Sequence, residues 1–201
     1  MFRYIKVTNA QKKILQATLQ LLERDGYQSL TVRKICEEAG CALGTFYHSF
    51  KNRDDILSFL ILNEHNRFRE ENREELSQLD PVERITETIS ATLMYFTSLG
   101  TGVMEEYFTP KNKAMNYSAF GRSDQRYIIV DGIKEDLKLA AETGLIKDAE
   151  RDGEDFINRL VLEIENIFYG TIFNWSINDG GFDIDRVFRR EMKIFLHYYK
   201  A

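Results

Sequence analysis

Cys41 and His48 are the first residues to suggest chemistry, because a thiol beside an imidazole is the usual pair of a cysteine nucleophile and its base. They lie in the stretch EEAGCALGTFYHSFKNRDD, residues 37–55, seven positions apart. On one continuous helix seven residues span about 10 Å, which is too far for the imidazole to take the thiol proton. No strand pattern precedes Gly40 and Gly44, so a phosphate-binding strand–loop–helix is not predicted either.

A metal site is equally incomplete in this stretch. Cys36, Cys41 and His48 supply two thiols and one imidazole, which leaves a structural zinc ion short of a fourth ligand. His65 and His197 stand alone on predicted helices and are interpreted as packing or surface residues. No HExxH, GxSxG or Walker pattern occurs elsewhere. We therefore expect no catalytic residues, no metal and no cofactor, and we do not expect an enzyme.

Composition predicts an all-α protein. The 201 residues are 43% hydrophobic and include only 2 prolines and 12 glycines, which favours long helices over the many tight turns of a β-sandwich. The first residues, MFRYIKVTNAQKKILQ, hold no apolar run of signal-peptide length. No window reaches the roughly 18 apolar residues of a membrane span. With two closely spaced cysteines, we expect a cytoplasmic protein with reduced thiols and no membrane partner.

Charge is unevenly distributed along the chain. The formal net charge is −5, yet residues 1–55 carry nine Lys and Arg against six Asp and Glu, which makes this part +3 and the remainder −8. A basic N-terminal part on an acidic remainder indicates that only the N-terminal part meets a polyanion.

The elements that position these residues are predicted from apolar periodicity, caps and glycines. Thr8, Thr31, Asn52, Asp80 and Asp183 can each cap a helix. The predicted helices run over residues 8–24, 31–39, 42–48, 52–78, 81–99, 124–143, 152–178 and 183–199. The charged end of the fourth range is either a solvated connector or an exposed helical strut, and we expect about nine helices in total. Residues 103–123 break any period and are predicted to be irregular.

Two short helices around a tight turn at Gly40 and Cys41 form a helix-turn-helix, whose second helix enters the DNA major groove. Cys41 is then a small buried apolar residue of the turn. Ala42 and Gly44 allow the helix backbone to approach DNA closely, and Thr45 can bond a phosphate or touch a thymine methyl group.

The rest of the stretch fits the same interpretation. Tyr47 and His48 offer donors to phosphate oxygens, and Lys51 and Arg53 add cations at the start of the next helix. Phe46 and Phe50 are expected to point back onto the first and fourth helices.

Residues 8–57 resemble the DNA-binding domain of the TetR family of bacterial transcriptional regulators. The segments that carry the resemblance are ILQATLQLLERDGYQSLTVRKICEEAG and LGTFYHSFKNRDDIL. It implies a DNA-binding domain over residues 1–53 and an effector-binding and dimerisation domain over residues 54–201. It implies a homodimer that binds a double-stranded DNA operator and a small-molecule effector. The predicted DNA-binding residues are Thr31, Arg33, Ala42, Leu43, Gly44, Thr45, Tyr47, His48, Lys51 and Arg53.

Aromatic and methionine side chains of the C-terminal part suggest an apolar, adaptable effector pocket, and residues 103–123 its gate. The candidate effector residues are Met94, Tyr95, Met104, Tyr107, Phe108, Met115, Tyr117, Phe120, Phe168 and Trp175, with Phe96 beside them. The resemblance places dimerisation on the last two helices. The candidate interface residues are Phe156, Leu160, Ile164, Ile167, Val187, Phe188, Phe195 and Tyr199.

The function expected from the sequence is a ligand-responsive dimeric DNA-binding regulator. We expect a repressor that a small, largely apolar or aromatic effector releases from its operator. An activator, or a regulator of the same fold that needs no ligand, is the alternative. An enzyme that carries this N-terminal domain and a protein-interaction module are the competing classes. The first needs a convergent polar site in the C-terminal part, and the second predicts no salt-dependent DNA binding.

Overall fold

The structure is a computed structural model that describes residues 7–107, 126–146 and 149–200, and these ranges contain helices and no β-strand. The elements are α1 (Asn9–Asp25), a 3₁₀ turn η1 (Tyr27–Ser29), α2 (Val32–Ala39), α3 (Leu43–Ser49), α4 (Arg53–Glu71), α5 (Arg73–Gln78), α6 (Pro81–Ser98), α7 (Thr101–Tyr107), α8 (Arg126–Glu142), α9 (Ala149–Ile177) and α10 (Ile184–Tyr199). The all-α fold class is confirmed. No helix in the described part of the chain is both long enough and apolar enough to cross a membrane.

Side-chain caps fix the helix starts that the sequence predicts. The Thr8 hydroxyl accepts from the Gln11 amide at 3.2 Å while the Gln11 side chain accepts from the Thr8 amide at 2.9 Å, a complete capping box on α1. Thr31 caps α2 by accepting from the Lys34 amide at 3.2 Å, and the Asn52 side chain caps α4. The predicted starts of these helices are confirmed to within a residue.

Glycine ends both helices that lead into the helix-turn-helix. Gly40 is left-handed, with φ 62° and ψ 38°, and the next amide, that of Cys41, donates to the Cys36 carbonyl at 3.0 Å. Gly26, where the sequence also predicts a left-handed residue at the end of the first helix, has φ 70° but ψ 170°, so that prediction is wrong. Its positive φ still favours glycine, and the extended ψ leads the chain directly into η1.

Three predicted segments differ in the structure. The fourth helix does not continue to residue 78 but breaks at Asn72, whose side-chain Nδ2 donates to the Phe68 carbonyl at 2.9 Å in competition with the helix pattern. The irregular segment expected from residue 103 is wrong for 103–107, which form part of α7 because Val103 and Met104 are buried. Residues 108–123 of that prediction lie outside the described residues.

The long ninth helix begins earlier than predicted and is kinked. It starts at Ala149 rather than Asp152, and Gly153 within it has the non-helical angles φ 53° and ψ −123°. Together with α5 and α7, the described ranges hold ten α-helices, compared with the nine or so expected.

One apolar core runs through the helices and holds the helix-turn-helix on the later ones. Helix α1 packs on α2 and α3, α4 packs on α6, and α9 packs on α7, α8 and α10. The largest fully buried side chains of this core are Phe46, Phe50, Phe96, Phe188, Ile14, Leu21, Leu30, Ile35, Ile56, Leu57, Ile85 and Leu93. Because Phe46 and Phe50 are in this core, the orientation of α3 is fixed by packing rather than by its own short length.

Candidate nucleic-acid interface and effector region

Helix α3, the second helix of the helix-turn-helix, presents large side chains to solvent. Leu43 is 51% exposed and Tyr47 is 59% exposed, and the two lie four residues apart, on one face of the helix. Gly44 is exposed, and a Cβ built on it meets no atom within 4 Å, so the backbone there is open to close approach. Ala42 and His48 are also exposed, whereas Thr45 is half-buried.

Phe46 and Phe50 hold this helix from its opposite face. The Phe50 ring meets the edge of Phe59 of α4 at 5.4 Å between centroids, and Phe46 meets Phe50 at 5.9 Å. Tyr47 in turn stands edge-on to Phe46 at 5.4 Å. The inward packing predicted for both phenylalanines is confirmed. The buried Phe46 ring supports the exposed Tyr47 ring and limits its movement.

Helix α2 adds a cation and a hydroxyl to the exposed surface. The Arg33 side chain is 85% exposed and its Nε donates to Glu37 at 2.9 Å, one helical turn further on. An exposed pair of this kind is weak, so the guanidinium can exchange Glu37 for a phosphate or a base. The Thr31 oxygen is occupied as the α2 cap, which leaves its hydroxyl hydrogen to donate.

Arg53 is placed differently from the other predicted DNA-binding residues. Its guanidinium lies over the Tyr27 ring at 4.5 Å, donates to the Leu30 carbonyl at 3.1 Å, and is 3.4 Å from Asp54. Lys51 is exposed. These contacts make Arg53 a link between η1 and α4, and a direct role at DNA stays a prediction.

The candidate effector residues of the described ranges are dispersed. Met104 is fully buried, Met94 is 48% exposed, and the Phe168 ring meets the edge of Phe96 at 5.6 Å. Burial raises the pKa of Tyr95 to about 12. Trp175 packs on the turn after α9, where a Cβ on Gly180 would lie 3.0 Å from its ring.

The remaining candidate effector side chains lie outside the described part of the structure. Phe108, Met115, Tyr117 and Phe120 lie outside the described residues, as does the side chain of Tyr107. Their role in an effector pocket stays a prediction.

A buried ionic cluster that the sequence does not reveal joins α4, α6 and α8. Arg84 Nε donates to Asp136 Oδ1 at 2.7 Å, and Arg69 approaches the other carboxylate oxygen at 3.8 Å. Asp136 is 5% exposed, and burial raises the pKa of its carboxyl group although both guanidiniums oppose the change. Arg84 and Asp136 lie 52 residues apart, so no local pattern could pair them.

Two of the clefts among the described helices are lined by none of the predicted effector residues. One of about 390 Å³ lies beside the ionic cluster, between α4, α6 and α8. The other, of about 1020 Å³, lies between α5, α6 and α10 and carries both acidic and basic side chains. No group of three His, Cys, Asp or Glu side chains in the described ranges could hold a metal ion.

Half of the predicted dimer contacts are core residues of one chain. Phe156, Leu160, Ile164 and Phe188 are at most 2% exposed, so for them the prediction of an interface role is wrong. Their apolar stripe packs inward against the chain's own helices. Helical periodicity predicts that such a stripe is buried, but it does not show whether the chain itself or a second subunit covers it. Ile167, Val187, Phe195 and Tyr199 are half-buried. The apolar side chains that α9 and α10 do expose are Phe173, Ile177, Ile194 and Tyr198.

Comparison with known proteins agrees with this architecture. The family described as bacterial regulatory proteins, tetR family, matches residues 14–58. A fatty acid metabolism regulator protein from Bacillus subtilis (strain 168) is 35% identical over 66 residues, which cover 33% of this chain and 34% of that protein. The repressor KstR from Rhodococcus jostii is 36% identical over 64 residues, 30% of each protein. The chain thus spans about a third of the length of these curated relatives.

Solved structures match over nearly the whole chain. FadR from Thermus thermophilus, a TetR-family transcriptional repressor in complex with lauroyl-CoA, has a TM-score of 0.69 at 19% identity, covering 92% of both chains. FadR from Bacillus subtilis in complex with stearoyl-CoA has a TM-score of 0.58 at 22% identity, covering 92% of this chain and 97% of that one. At these identities the likeness establishes the fold. Residues 14–58 thus match the DNA-binding domain of the TetR family of bacterial regulatory proteins, and the whole chain has the fold of solved TetR-family regulators.

Proposed function

We propose that this protein is a homodimeric transcriptional repressor that a fatty acyl-CoA releases from its operator. In this proposal residues 1–53 bind DNA, residues 54–201 bind the effector and the second subunit, and the protein works in the cytoplasm. The observation that carries the DNA-binding part is the exposed set on α2 and α3, above all Arg33 and Tyr47. The Tyr47 ring is supported edge-on by the buried Phe46.

The arrangement suits reading of DNA by shape and phosphate contact. Arg33 has a fork of donors for a guanine edge or a phosphate, and Tyr47 has a hydroxyl donor. The side chains of Leu43 and Gly44 carry no hydrogen-bond donor or acceptor for a base edge. In the groove they can therefore contribute only apolar contact and close approach of the backbone. We therefore infer that Arg33 carries most of the direct base readout and that Tyr47, Thr31 and His48 fix the register on phosphates.

The support for an acyl-CoA effector comes from proteins that this chain resembles. The Thermus and Bacillus FadR structures contain lauroyl-CoA and stearoyl-CoA, and the Bacillus subtilis relative is a fatty acid metabolism regulator. An acyl chain also agrees with the apolar effector expected from the methionine and aromatic side chains of α6, α7 and α9.

Dimerisation is inferred from the apolar side chains left outside the core. Phe173 and Ile177 on α9, and Ile194 and Tyr198 on α10, lie four residues apart within each pair and are 48% to 78% exposed. Exposed apolar side chains concentrated on two adjacent helices indicate a protein–protein contact. In a homodimer the same face is used by both subunits around a two-fold axis.

The test is fluorescence anisotropy of a labelled duplex taken from upstream of the coding sequence. Lauroyl-CoA and stearoyl-CoA should each weaken binding roughly tenfold or more, the range of ordinary allosteric coupling, while coenzyme A and free laurate should not. Equal release by coenzyme A alone would contradict an acyl-chain effector. Acyl-CoA that strengthens binding would point to a co-repressor or an activator, and no response to any of the four would point to a ligand-independent regulator.

Variants test the DNA surface in the same assay. Arg33→Ala and Tyr47→Ala should weaken binding, and loss of one phosphate contact should reduce the slope of log K against log salt by about one. Arg67→Ala is the matched control, because Arg67 also pairs within its own helix, with Glu64 and Glu71, but sits in the last turns of α4. Binding that both N-terminal variants leave unaltered would refute the assigned surface.

A further inference from the structure

The two cysteines of the chain meet at the turn of the helix-turn-helix. Both are free thiols, Cys36 buried in the last turn of α2 and Cys41 half-buried in the turn itself. Gly40 between them is left-handed, and this brings the Cys41 amide within 3.0 Å of the Cys36 carbonyl oxygen. Both side chains pack on the same core. The left-handed glycine therefore folds the chain back so that residues five positions apart become neighbours.

The backbone geometry permits a bond between the two sulfurs. With standard bond lengths, an N···O distance of 3.0 Å limits the Cα–Cα separation of Cys36 and Cys41 to about 7 Å. Disulfides span Cα separations of about 4.4–6.8 Å, so a short movement of Cys41 toward Cys36 brings the two sulfurs within bonding reach. Burial, reinforced by a hydrogen bond to the Cys41 thiol, raises the pKa of Cys36 to about 11. Cys36 is thus protonated and shielded, and the more accessible Cys41 is the thiol that an oxidant reaches first.

We propose that Cys36 and Cys41 are an oxidation site, a dithiol that peroxide converts into an intramolecular disulfide and that thereby weakens DNA binding. The Cys41 sulfur attacks the peroxide O–O bond, giving a sulfenic acid and one water. The Cys36 sulfur then displaces the hydroxyl group from Cys41, forming the S–S bond and releasing a second water. The two thiols lose two electrons in all, and the peroxide takes them up. A dithiol reductant reverses the change by thiol–disulfide exchange.

The consequence for DNA follows from the position of Cys41. It directly precedes Ala42, the N-cap of α3, and α3 carries Leu43 and Tyr47. A disulfide requires the two Cβ atoms to lie about 3.8 Å apart, and drawing Cys41 to that distance shifts the first turn of α3 relative to α2. Binding of α2 and α3 to one duplex depends on their mutual register, so oxidation should cost roughly tenfold in affinity, the loss expected for one or two displaced contacts. This consequence rests on the proposed DNA-binding function.

The chemistry is tested first without DNA. The full chain, which has only two cysteines, is treated with hydrogen peroxide, denatured, alkylated with N-ethylmaleimide and weighed by mass spectrometry. The expected product has lost two hydrogen atoms, takes up no maleimide, runs as a monomer on a non-reducing denaturing gel and regains both thiols with dithiothreitol. Two alkylated thiols, a disulfide-linked dimer, or Cys41 carried on to the sulfinic acid without a disulfide would each overturn the proposal.

The consequence is tested second, by anisotropy with the upstream duplex before and after peroxide. Wild type should lose affinity and recover it with dithiothreitol, whereas Cys41→Ser and Cys36→Ala should bind alike in both conditions. An oxidised wild type that binds as well as the reduced one would refute the effect on DNA. If the reduced protein binds no duplex, the proposed function fails while the thiol count still decides whether the disulfide forms.

Discussion

The guanidinium of Arg53 lies over the ring of Tyr27, 4.5 Å from its centroid, and the Tyr27 hydroxyl donates to Asp54 at 2.6 Å. Arg53 also donates to the Leu30 carbonyl at 3.1 Å. These three contacts tie the turn η1 and the residue before the α2 cap to the first turn of α4. The helix-turn-helix is therefore anchored on α4 by two neighbouring charged residues as well as by its phenylalanines.

Replacement of Arg53 should therefore act through folding. Arg53→Ala removes a partly exposed cation–π contact and a hydrogen bond to the backbone, and should lower the free energy of unfolding by about 1–2 kcal/mol. Urea denaturation measures this change. Arg33→Ala is the control, since its exposed pair with Glu37 should contribute only about 0.3–0.5 kcal/mol. Arg53→Lys separates the structural role of the guanidinium from a role of its positive charge at DNA. If only the charge mattered, the lysine variant would keep both the free energy of unfolding and the affinity for DNA.

Asp136 should be among the costliest polar residues to remove from the described core. Asp136→Ala leaves the Arg84 guanidinium, 16% exposed, facing a cavity where its carboxylate lay at 2.7 Å. Breaking a buried ion pair on one side costs about 3–5 kcal/mol, which urea denaturation would detect as a large drop in the midpoint.

Two further variants test that explanation. Asp131→Ala, on the exposed face of the same helix, should change stability by less than about 0.5 kcal/mol. The double variant Asp136→Leu with Arg84→Met removes both charges and should recover much of the loss, because apolar packing can replace a buried pair. A double variant no more stable than Asp136→Ala would show that the cost lies in packing and not in the unpaired charge.

His65 should make the fold sensitive to acid. It is 1% exposed, its Nδ1 bonds to the Thr92 hydroxyl at 2.8 Å, and burial together with Arg69 lowers its pKa from 6.5 to about 3. Between pH 3 and pH 6.5 His65 is therefore protonated in the unfolded chain and neutral in the folded chain. Stability is therefore complete above pH 6.5 and falls as the pH drops, by about 1.4 kcal/mol per pH unit.

Two variants separate the contribution of His65 to the pH dependence of stability from the contribution of the carboxylates. From about pH 8 to about pH 5, wild type should lose about 2 kcal/mol more unfolding free energy than His65→Phe. His197→Phe, which removes an exposed imidazole near the end of α10, is the matched control and should lose as much unfolding free energy as wild type. If His65→Phe and wild type lost stability in parallel, a neutral buried His65 could not be the cause.

The subunit contact should depend on the exposed apolar side chains of α9 and α10. Phe173→Asp places a carboxylate in the proposed interface and should raise the dimer dissociation constant about thirtyfold or more, since buried aromatic anchors contribute about 2 kcal/mol or more. Sedimentation over a concentration series measures this. Leu139→Asp is the matched control, because Leu139 is a similarly exposed apolar residue on α8. Monomers from both variants would indicate general unfolding, and dimers from both would move the interface elsewhere.

Local signals in the sequence were enough for the starts of α1, α2 and α4 and for the inward or outward direction of the α3 side chains. Thr8, Thr31 and Asn52 cap the helices that they are predicted to cap, because a cap needs only an acceptor within three residues. The spacing of Phe46 and Phe50 against Leu43 and Tyr47 decided which face of α3 is buried, since i, i+4 neighbours share one face.

Sequence alone did not separate the two apolar stripes of α9 and α10. Phe156 and Phe188 are core, while Phe173 and Ile194 are exposed, and all four are simply large apolar residues at helical spacing. Which stripe faces inward depends on where the neighbouring helices lie, and that information is not local. The helix at Thr101–Tyr107 escaped prediction for the same reason, because burial of Met104 stabilises it more than its own propensity does.

What the sequence determined by itself is the helix-turn-helix, because its caps, its glycine turn and the buried face of its second helix follow from contacts within a few residues. What only the tertiary structure decided is the use of each charged and thiol side chain. The Arg53 guanidinium lies over the Tyr27 ring, and Asp136 pairs with Arg84, 52 residues away in sequence. Cys36 and Cys41 are brought together by the turn at Gly40. These pairings are set by packing, because a side chain's partner is fixed by the distance in space that the fold creates.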